Sequence, residues 1–193
     1  MSPSDEILLS YSRLMTGTAN IQPETNRLLN QAMLMLAAQP GAIFIGQNVE
    51  YDGNVMYKHL EGVPMNKRLE FPVAEELQLG VSTGLALQGF LPISIYPRID
   101  FLILAMNQLV NHLDKLEQMS QGQFKPHVII RTKIGSKWPL DAGPQHTQNH
   151  AFALSEMLKN THVSIIDEPG KILWMYELAA KYGGAHLMIE ALD

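Results

Sequence analysis

Two adjacent carboxylates, Glu75 and Glu76, open a segment of apolar and small residues. Within FPVAEELQLGVSTGLALQG, the pattern predicts a helix that carries Gly80, Gly84 and Gly89. An ionised carboxylate is costly to bury, so a carboxyl at this position has two interpretations. It can lie against the positive end of the helix dipole, or desolvation can keep it neutral so that it donates a hydrogen bond. The second interpretation is a catalytic device.

Two histidines four residues apart, His146 and His150 in HTQNH, form the second candidate group. On the helix predicted over residues 146–158 they share one face, a spacing that can hold a metal ion. Because no glutamate lies between them and no third ligand is evident, we predict no metal site here. His146 alone is more informative, since it follows the long irregular segment 133–145 and loops of that length are often functional.

Short apolar segments alternate with helical patterns along the chain. Strands are predicted at residues 42–47, 67–72, 91–96, 127–132, 162–167 and 185–191. Helices are predicted at residues 23–37, from residue 75, at 100–119, at 146–158 and at 169–182. In the third of these, Asp100 is the predicted N-cap, and His112 is predicted on one face with Leu109 and Leu113. Residues 1–20 are interpreted as an extension. The pattern predicts an α/β three-layer sandwich, in which a mostly parallel six-stranded sheet has helices on both faces.

In folds of this kind, ligands bind at the carboxyl ends of the strands. Those ends fall near Gln47, Glu75, Tyr96 and His146. The sequence contains no phosphate-binding Walker loop, no dinucleotide-binding glycine fingerprint and no nucleophile elbow.

Composition narrows the possible functions. Charged residues make up 17% of the chain, below the roughly 25% of soluble domains, which indicates a surface covered by a partner or a second copy. A net charge of −5 without a basic block argues against nucleic acid, and no apolar run has the roughly 20 residues of a membrane span. Without cysteine there is no disulfide or thiolate site. The start of the chain lacks a signal-peptide pattern, so we expect a cytoplasmic protein.

Four stretches, read in order, resemble one family. They are FPVAEELQLGVSTGLALQGFLPISIY, DFLILAMNQLVNHLDKLEQMSQGQ, PHVIIRTKIG and GPQHTQNHAF. The chain resembles the pyrimidine-binding domain of the transketolase superfamily of thiamine-diphosphate enzymes, and is most similar to the beta subunits of 2-oxo-acid dehydrogenases. The order and spacing hold from about residue 24 to residue 192. The resemblance implies that residues 21–193 form one pyrimidine-binding domain.

The resemblance also implies a role for Glu75. In the family, a glutamate at this position hydrogen-bonds the N1' nitrogen of the aminopyrimidine of thiamine diphosphate. The distances to Gly80 and Gly84, five and nine residues, select Glu75 rather than Glu76. A protonated carboxyl there favours the imino tautomer of the cofactor, whose nitrogen removes the C2 proton of the thiazolium ring.

Further site residues follow from the same similarity. His146 is expected near the reacting centre as a proton donor or acid/base. Gln47 and Tyr51 are expected near the cofactor, and Tyr96 is expected to wall the pyrimidine pocket. The chain departs from the family at three positions: Gln47 replaces an acidic residue, Leu77 replaces a glycine, and Ile95 replaces the glutamate usual in the beta subunits.

The family binds diphosphate and magnesium on another domain, through Gly-Asp-Gly followed at a distance by Asn, and this sequence has no Gly-Asp-Gly. The family's C-terminal domain is also expected to be absent. The resemblance therefore implies half an active site, completed by an alpha-like subunit that carries Mg²⁺ and the diphosphate, in a heterotetramer built on paired pyrimidine domains. The expected reaction is decarboxylation of a 2-oxo acid or cleavage of a ketose, with transfer of the acyl or aldehyde unit.

Two alternatives remain open. The chain could be a noncatalytic interaction or regulatory protein that retains the fold, with Gln47, Leu77 and Ile95 as signs of a decayed site. It could also be a solitary enzyme that binds another small molecule in the same crevice.

Overall fold

The computed structural model describes residues 23–52, 55–137 and 141–192. The predicted extension, residues 1–20, and the middle of the loop before His146 lie outside these ranges. Within them the strands are β1 (Ala42–Gly46), β2 (Arg68–Glu70), β3 (Leu91–Tyr96), β4 (Val128–Lys133), β5 (His162–Ile166) and β6 (Ala185–Glu190). The α-helices are α1 (23–37), α2 (Val55–His59), α3 (Glu75–Leu87), α4 (Ile99–Leu102), α5 (Asp114–Met119), α6 (Ala151–Met157) and α7 (Ile172–Lys181).

The six strands form one sheet in the order β2-β1-β3-β4-β6-β5. All five neighbouring pairs are parallel. Crossover helices connect parallel strands, so the carboxyl ends of all six strands meet at one edge. Each strand lies within two residues of its predicted position at either end, because apolar runs bounded by Gly and Pro mark buried strands clearly.

Helices cover both faces of the sheet. Alternate residues of one strand point to opposite faces, and in β4 Ile129 packs with the core of α1, α2 and α7 while Ile130 packs with that of α3, α6 and the helical stretch 99–119. The three-layer α/β architecture predicted from the sequence is therefore confirmed.

The stretch 99–119 is helical throughout but not one regular helix. Between α4 and α5 it contains a 3₁₀ turn (Ile103–Ala105) and a π-helical segment (Asn107–Leu113). The predicted cap is wrong: Arg98 is the N-cap residue, and Asp100 Oδ1 instead accepts hydrogen bonds from the backbone and side-chain nitrogens of Gln148. His112 is exposed while Leu109 and Leu113 are buried, so they do not share one face as predicted. The wider π turns rotate later side chains away from the 3.6-residue period.

The helix predicted over residues 146–158 begins only at Ala151. Before it, Gly143 adopts a left-handed conformation (φ 86°) and its carbonyl accepts from the His146 N–H at 3.0 Å, forming a turn. The Asn149 side chain accepts from the Ala151 N–H at 3.0 Å and so stabilises a later helix start. His146 and His150 consequently do not share a helix face.

Candidate active site at the carboxyl edge of the sheet

Glu75 is the first residue of α3 and is 94% buried, with 6% of its surface exposed. The helix starts beside the ends of β1 and β3, so the side chain is directed toward the carboxyl edge of the sheet. Gln47 Nε2 donates to Glu75 Oε1 at 3.5 Å, which occupies one of the two carboxyl oxygens. Glu76 is exposed, and its Oε1 accepts from Asn107 Nδ2 at 2.9 Å. Of the two adjacent carboxylates, only Glu75 faces the strand ends.

Tyr96, the last residue of β3, lies directly beneath Glu75. Its hydroxyl donates to the Glu75 backbone carbonyl at 3.3 Å and accepts from Ser94 Oγ at 3.4 Å. Burial raises the pKa of Tyr96, the Ser94 hydrogen bond opposes this rise, and the charge of Glu75 adds to it. The hydroxyl therefore stays protonated and holds the first turn of α3 against the sheet.

Gln78, one turn along α3, joins the helix to two strands at once. It is buried, and its amide nitrogen lies 3.3 Å from the Ile45 carbonyl, 3.0 Å from the Ile95 carbonyl and 3.1 Å from Ser94 Oγ. A buried amide that meets strand carbonyls fixes the helix relative to the sheet. The position of Glu75 is thus set by contacts on both sides of it.

The approach of β1 to β3 at this edge requires a glycine. A Cβ atom at Gly46 would lie 2.5 Å from the backbone oxygen of Ile95. Gln47 leaves the strand at this point and reaches toward Glu75, while the next residue, Asn48, has φ 56° and turns the chain away.

A groove of about 580 Å³ opens beside Glu75, between α3 and the stretch 99–119. Its walls include residues of both elements: Ala74, Glu75, Glu76, Leu77, Gly80, Leu104 and Gln108. Gln108 belongs to the π segment, and π segments are frequent at functional sites. Leu77 and Leu104 are more than half exposed, so apolar surface borders the buried carboxyl.

His146 belongs to a second group at the same edge, around the start of α4. Its ring meets the edge of the Phe101 ring, with centroids 5.5 Å apart and planes at 89°. A Cβ atom at Gly135, in the loop after β4, would collide with the His146 carbonyl oxygen, so the loop packs closely on the histidine. The hydrogen bonds that join Gln47, Glu75 and Tyr96 do not extend to His146 or to Tyr51, which is 65% exposed in the turn after β1.

Three buried polar atoms in this part of the chain have no hydrogen-bond partner among the described residues. They are Asp100 Oδ2, His146 Nδ1 and His150 Nε2. Such atoms are uncommon in folded proteins, and water or a ligand must satisfy them. Among the described residues, no group of three or more His, Asp or Glu side chains is placed to hold a metal ion.

Sequence reasoning missed Gln78, Asn107 and Gln108. The first is visible as a lone amide within an apolar helix pattern. The other two depend on the π segment, for which the sequence gives no signal, because an α-helical period places them on a different face.

No family model matches the chain. It is 26% identical over 183 residues to the beta subunit of 3-methyl-2-oxobutanoate dehydrogenase from Mycobacterium tuberculosis (strain ATCC 25618 / H37Rv), which covers 90% of this chain and 49% of the relative. It is 32% identical over 113 residues to the pyruvate dehydrogenase E1 component subunit beta of Chaetosphaeridium globosum, covering 56% of this chain and 34% of the relative. The predicted resemblance to 2-oxo-acid dehydrogenase beta subunits is confirmed.

The fold has a counterpart among solved structures. A split-gene transketolase, described as an inactive beta4 tetramer, superposes with a TM-score of 0.66 at 17% identity, covering 87% of this chain and 51% of that one. The chain is therefore transketolase-like in fold. It spans about half the length of the curated relative from Mycobacterium and of this structure. No helix within the described residues is long and apolar enough to cross a membrane.

Proposed function

We propose that this chain is the pyrimidine-binding subunit of a two-subunit thiamine-diphosphate enzyme. The enzyme decarboxylates a 2-oxo acid or cleaves a ketose and transfers the resulting acyl or aldehyde unit. The observation that carries the proposal is the buried carboxyl of Glu75 at the carboxyl edge of the sheet, facing a groove and held by Gln47.

The residues present fit the pyrimidine end of the cofactor. A ring nitrogen of an aminopyrimidine accepts a hydrogen bond, which a carboxyl in its protonated form can donate. Gln47 orients the carboxyl by donating to Oε1, and Tyr96 holds its backbone. Thiamine diphosphate, when bound, supplies a carbanion nucleophile for attack on the substrate carbonyl. We assign His146 to proton transfer at the substrate, because its buried Nδ1 has no partner within residues 23–52, 55–137 and 141–192.

The residues do not fit the diphosphate end. The sequence has no Gly-Asp-Gly, and the described ranges hold no cluster of His, Asp and Glu side chains suited to a metal ion. We therefore assign Mg²⁺ and the diphosphate to an alpha-like partner subunit. The exposed apolar side chains of Leu77 and Leu104 beside the groove are suited to such a partner, because contiguous apolar surface commonly marks an interface.

Self-association of the pyrimidine domains is part of the proposal. The transketolase with the same fold is described as inactive in its beta4 form. By analogy, we expect this chain alone to associate without activity and to form an active heterotetramer only with its partner.

The proposal is tested by purifying the chain with its co-expressed partner. Calorimetry should show thiamine diphosphate and Mg²⁺ binding to the complex and not to the chain alone. In the complex, Glu75→Gln should lower kcat by at least ~100-fold, the scale of lost acid–base participation. Glu76→Gln, one residue away and exposed, should cost far less.

The rival functions predict other results. A noncatalytic protein would bind no cofactor in any complex that co-purifies with it. A solitary enzyme would bind its ligand without a partner. Full activity of the Glu75→Gln complex would refute the assigned role of Glu75.

A further inference from the structure

Glu70, the last residue of β2, binds the loop that carries Gln47. Its Oε1 accepts from the Asn48 N–H at 2.7 Å, and its Oε2 accepts from the N–H groups of Val49 and Glu50 at 2.8 and 2.9 Å. Three consecutive backbone donors thus converge on one carboxylate. Successive N–H groups that point to a common centre form an anion-binding nest, and here the anion is a side chain of the protein.

The backbone of this loop requires that anion. Asn48 adopts φ 56°, which is uncommon for a residue other than glycine. The left-handed conformation turns the N–H groups of residues 48–50 to the same side, where they would repel one another without an acceptor. Glu50 returns a hydrogen bond, since its Oε1 accepts from the Glu70 N–H at 3.1 Å.

Arg68, also in β2, binds a backbone carbonyl of the same loop. Arg68 Nη1 donates to the Val49 carbonyl at 3.1 Å, while other nitrogens of this guanidinium donate to the Leu60 and Val63 carbonyls. Val49 is completely buried. Its backbone donor and its backbone acceptor are therefore both bound by residues of the short strand β2.

We infer that Glu70 is a positioning residue that acts through Gln47 on Glu75. Gln47 immediately precedes residues 48–50, whose N–H groups Glu70 binds. Its Nε2 lies 3.5 Å from Glu75 Oε1, near the limit of a hydrogen bond. A small displacement of the loop would break that contact. The inference rests on the proposed function, because Glu75 is the group that is positioned.

The chemical consequence concerns the orientation of the carboxyl. While Gln47 donates to Oε1, the carboxyl is held in one orientation and Oε2 is the oxygen left to face the cofactor. When Gln47 is released, the carboxyl can rotate and neither oxygen is fixed toward the cofactor. Loss of Glu70 should therefore reduce catalysis with the fold intact, which is what an indirect positioning role requires.

The first measurement uses the full chain without cofactor. In Glu70→Gln, the neutral amide presents N–H donors to a nest of N–H donors, so at least one acceptor is lost. Hydrogen exchange at residues 48–50 should accelerate by more than tenfold while β3 and β4 remain protected. The NMR signal of the Gln47 side-chain amide should move to the position that it takes in Glu75→Ala, which removes its acceptor. Glu61→Gln, an exposed carboxylate with the same charge change, should alter neither.

The second measurement uses the complex with partner, thiamine diphosphate and Mg²⁺. If Glu70 acts through Gln47, the losses in kcat of Glu70→Gln and Gln47→Ala should not add in the double variant. Additive losses, or an unmoved Gln47 amide signal in the first measurement, would overturn the inference. Failure of the wild-type complex to bind cofactor would instead overturn the proposed function, while the amide signal would still decide the link from Glu70 to Gln47.

Discussion

Replacement of Asp114 by asparagine should destabilise the fold without touching the candidate site. Asp114 is the first residue of α5 and is 1% exposed. Its Oδ1 accepts from the backbone N–H groups of Lys159, Asn160 and Thr161 at 3.2, 2.9 and 2.8 Å, and its Oδ2 forms an ion pair with Lys115 at 2.6 Å. One carboxylate therefore fixes the loop between α6 and β5 to the end of the π segment.

The pKa of Asp114 gives the magnitude of this effect. Burial by itself raises the pKa, but the Lys115 ammonium and the N–H groups of Asn160, Thr161 and Lys159 outweigh burial and lower it from 3.8 to about 2. A shift of this size corresponds to about 2 kcal/mol of stability. Because the folded pKa is depressed, that stability is fully present above pH 4 and is lost as the pH falls toward 2.

The assay is urea denaturation of wild type and Asp114→Asn at several pH values. At pH 7 the variant should be less stable by about 2 kcal/mol, and the difference should narrow between pH 4 and pH 3. Asp167→Asn is the control, since the ion pair of Asp167 with Lys171 is exposed and surface pairs contribute little. A difference that does not depend on pH would refute the assignment to the charged carboxylate.

Three more perturbations test other parts of the structure. Arg131 is fully buried and forms an ion pair with Glu190 at 2.6 Å. Arg131→Met leaves the Glu190 charge buried and unpaired, so the free energy of unfolding measured in urea should fall by about 3–5 kcal/mol. Adding Glu190→Gln should recover part of that stability. A Cβ atom at Gly84 would meet no atom within 4 Å, so Gly84→Ala should raise the free energy of unfolding of the isolated chain by roughly 0.5–1 kcal/mol. The same variant should weaken a complex in which a partner covers α3, and sedimentation would show that loss. Burial lowers the pKa of His186 from 6.5 to about 4 against the opposing hydrogen bond to Tyr182, so this histidine should contribute about 3 kcal/mol to the loss of stability between pH 6.5 and 4. His186→Gln should remove that contribution and leave the share of buried His59, whose pKa is lowered to about 3.

The sheet could be predicted from the sequence because its strands are apolar on both sides. LPISIY is buried at all six positions, and its predicted bounds equal the observed ones. The stretch 99–119 shows where such reasoning ends. Its apolar residues fit an α-helical period, but the π segment at Asn107–Leu113 changes the period within the helix, and no single residue type marks that change. The predicted start of α6 is wrong for a related reason, since a turn at Gly143 and the hydrogen bond from the Ala151 N–H to the Asn149 side chain compete with the helical pattern.

The residues of the candidate site could be predicted from the sequence, but the hydrogen bonds that join them could not. Gln47, Glu75 and Tyr96 each end a strand or begin a helix, and parallel topology brings such positions to one edge. The contacts that orient these side chains join residues far apart in the sequence and depend on the local conformation of the backbone. The three hydrogen bonds to Glu70 depend on the left-handed conformation of Asn48, a backbone state that its side chain permits but does not require.

The first turn of α3 divides two roles between adjacent carboxylates. Successive residues of an α-helix point about 100° apart, so Glu75 faces the strand ends while Glu76 faces the π segment and binds Asn107. The buried carboxyl thereby lines the groove, next to the apolar side chains that we assign to the partner. A partner that packs against Leu77 and Leu104 would exclude water from Glu75 at the same time. Burial of the carboxyl would then be completed only on assembly, which would couple the activation of the site to the presence of the second subunit.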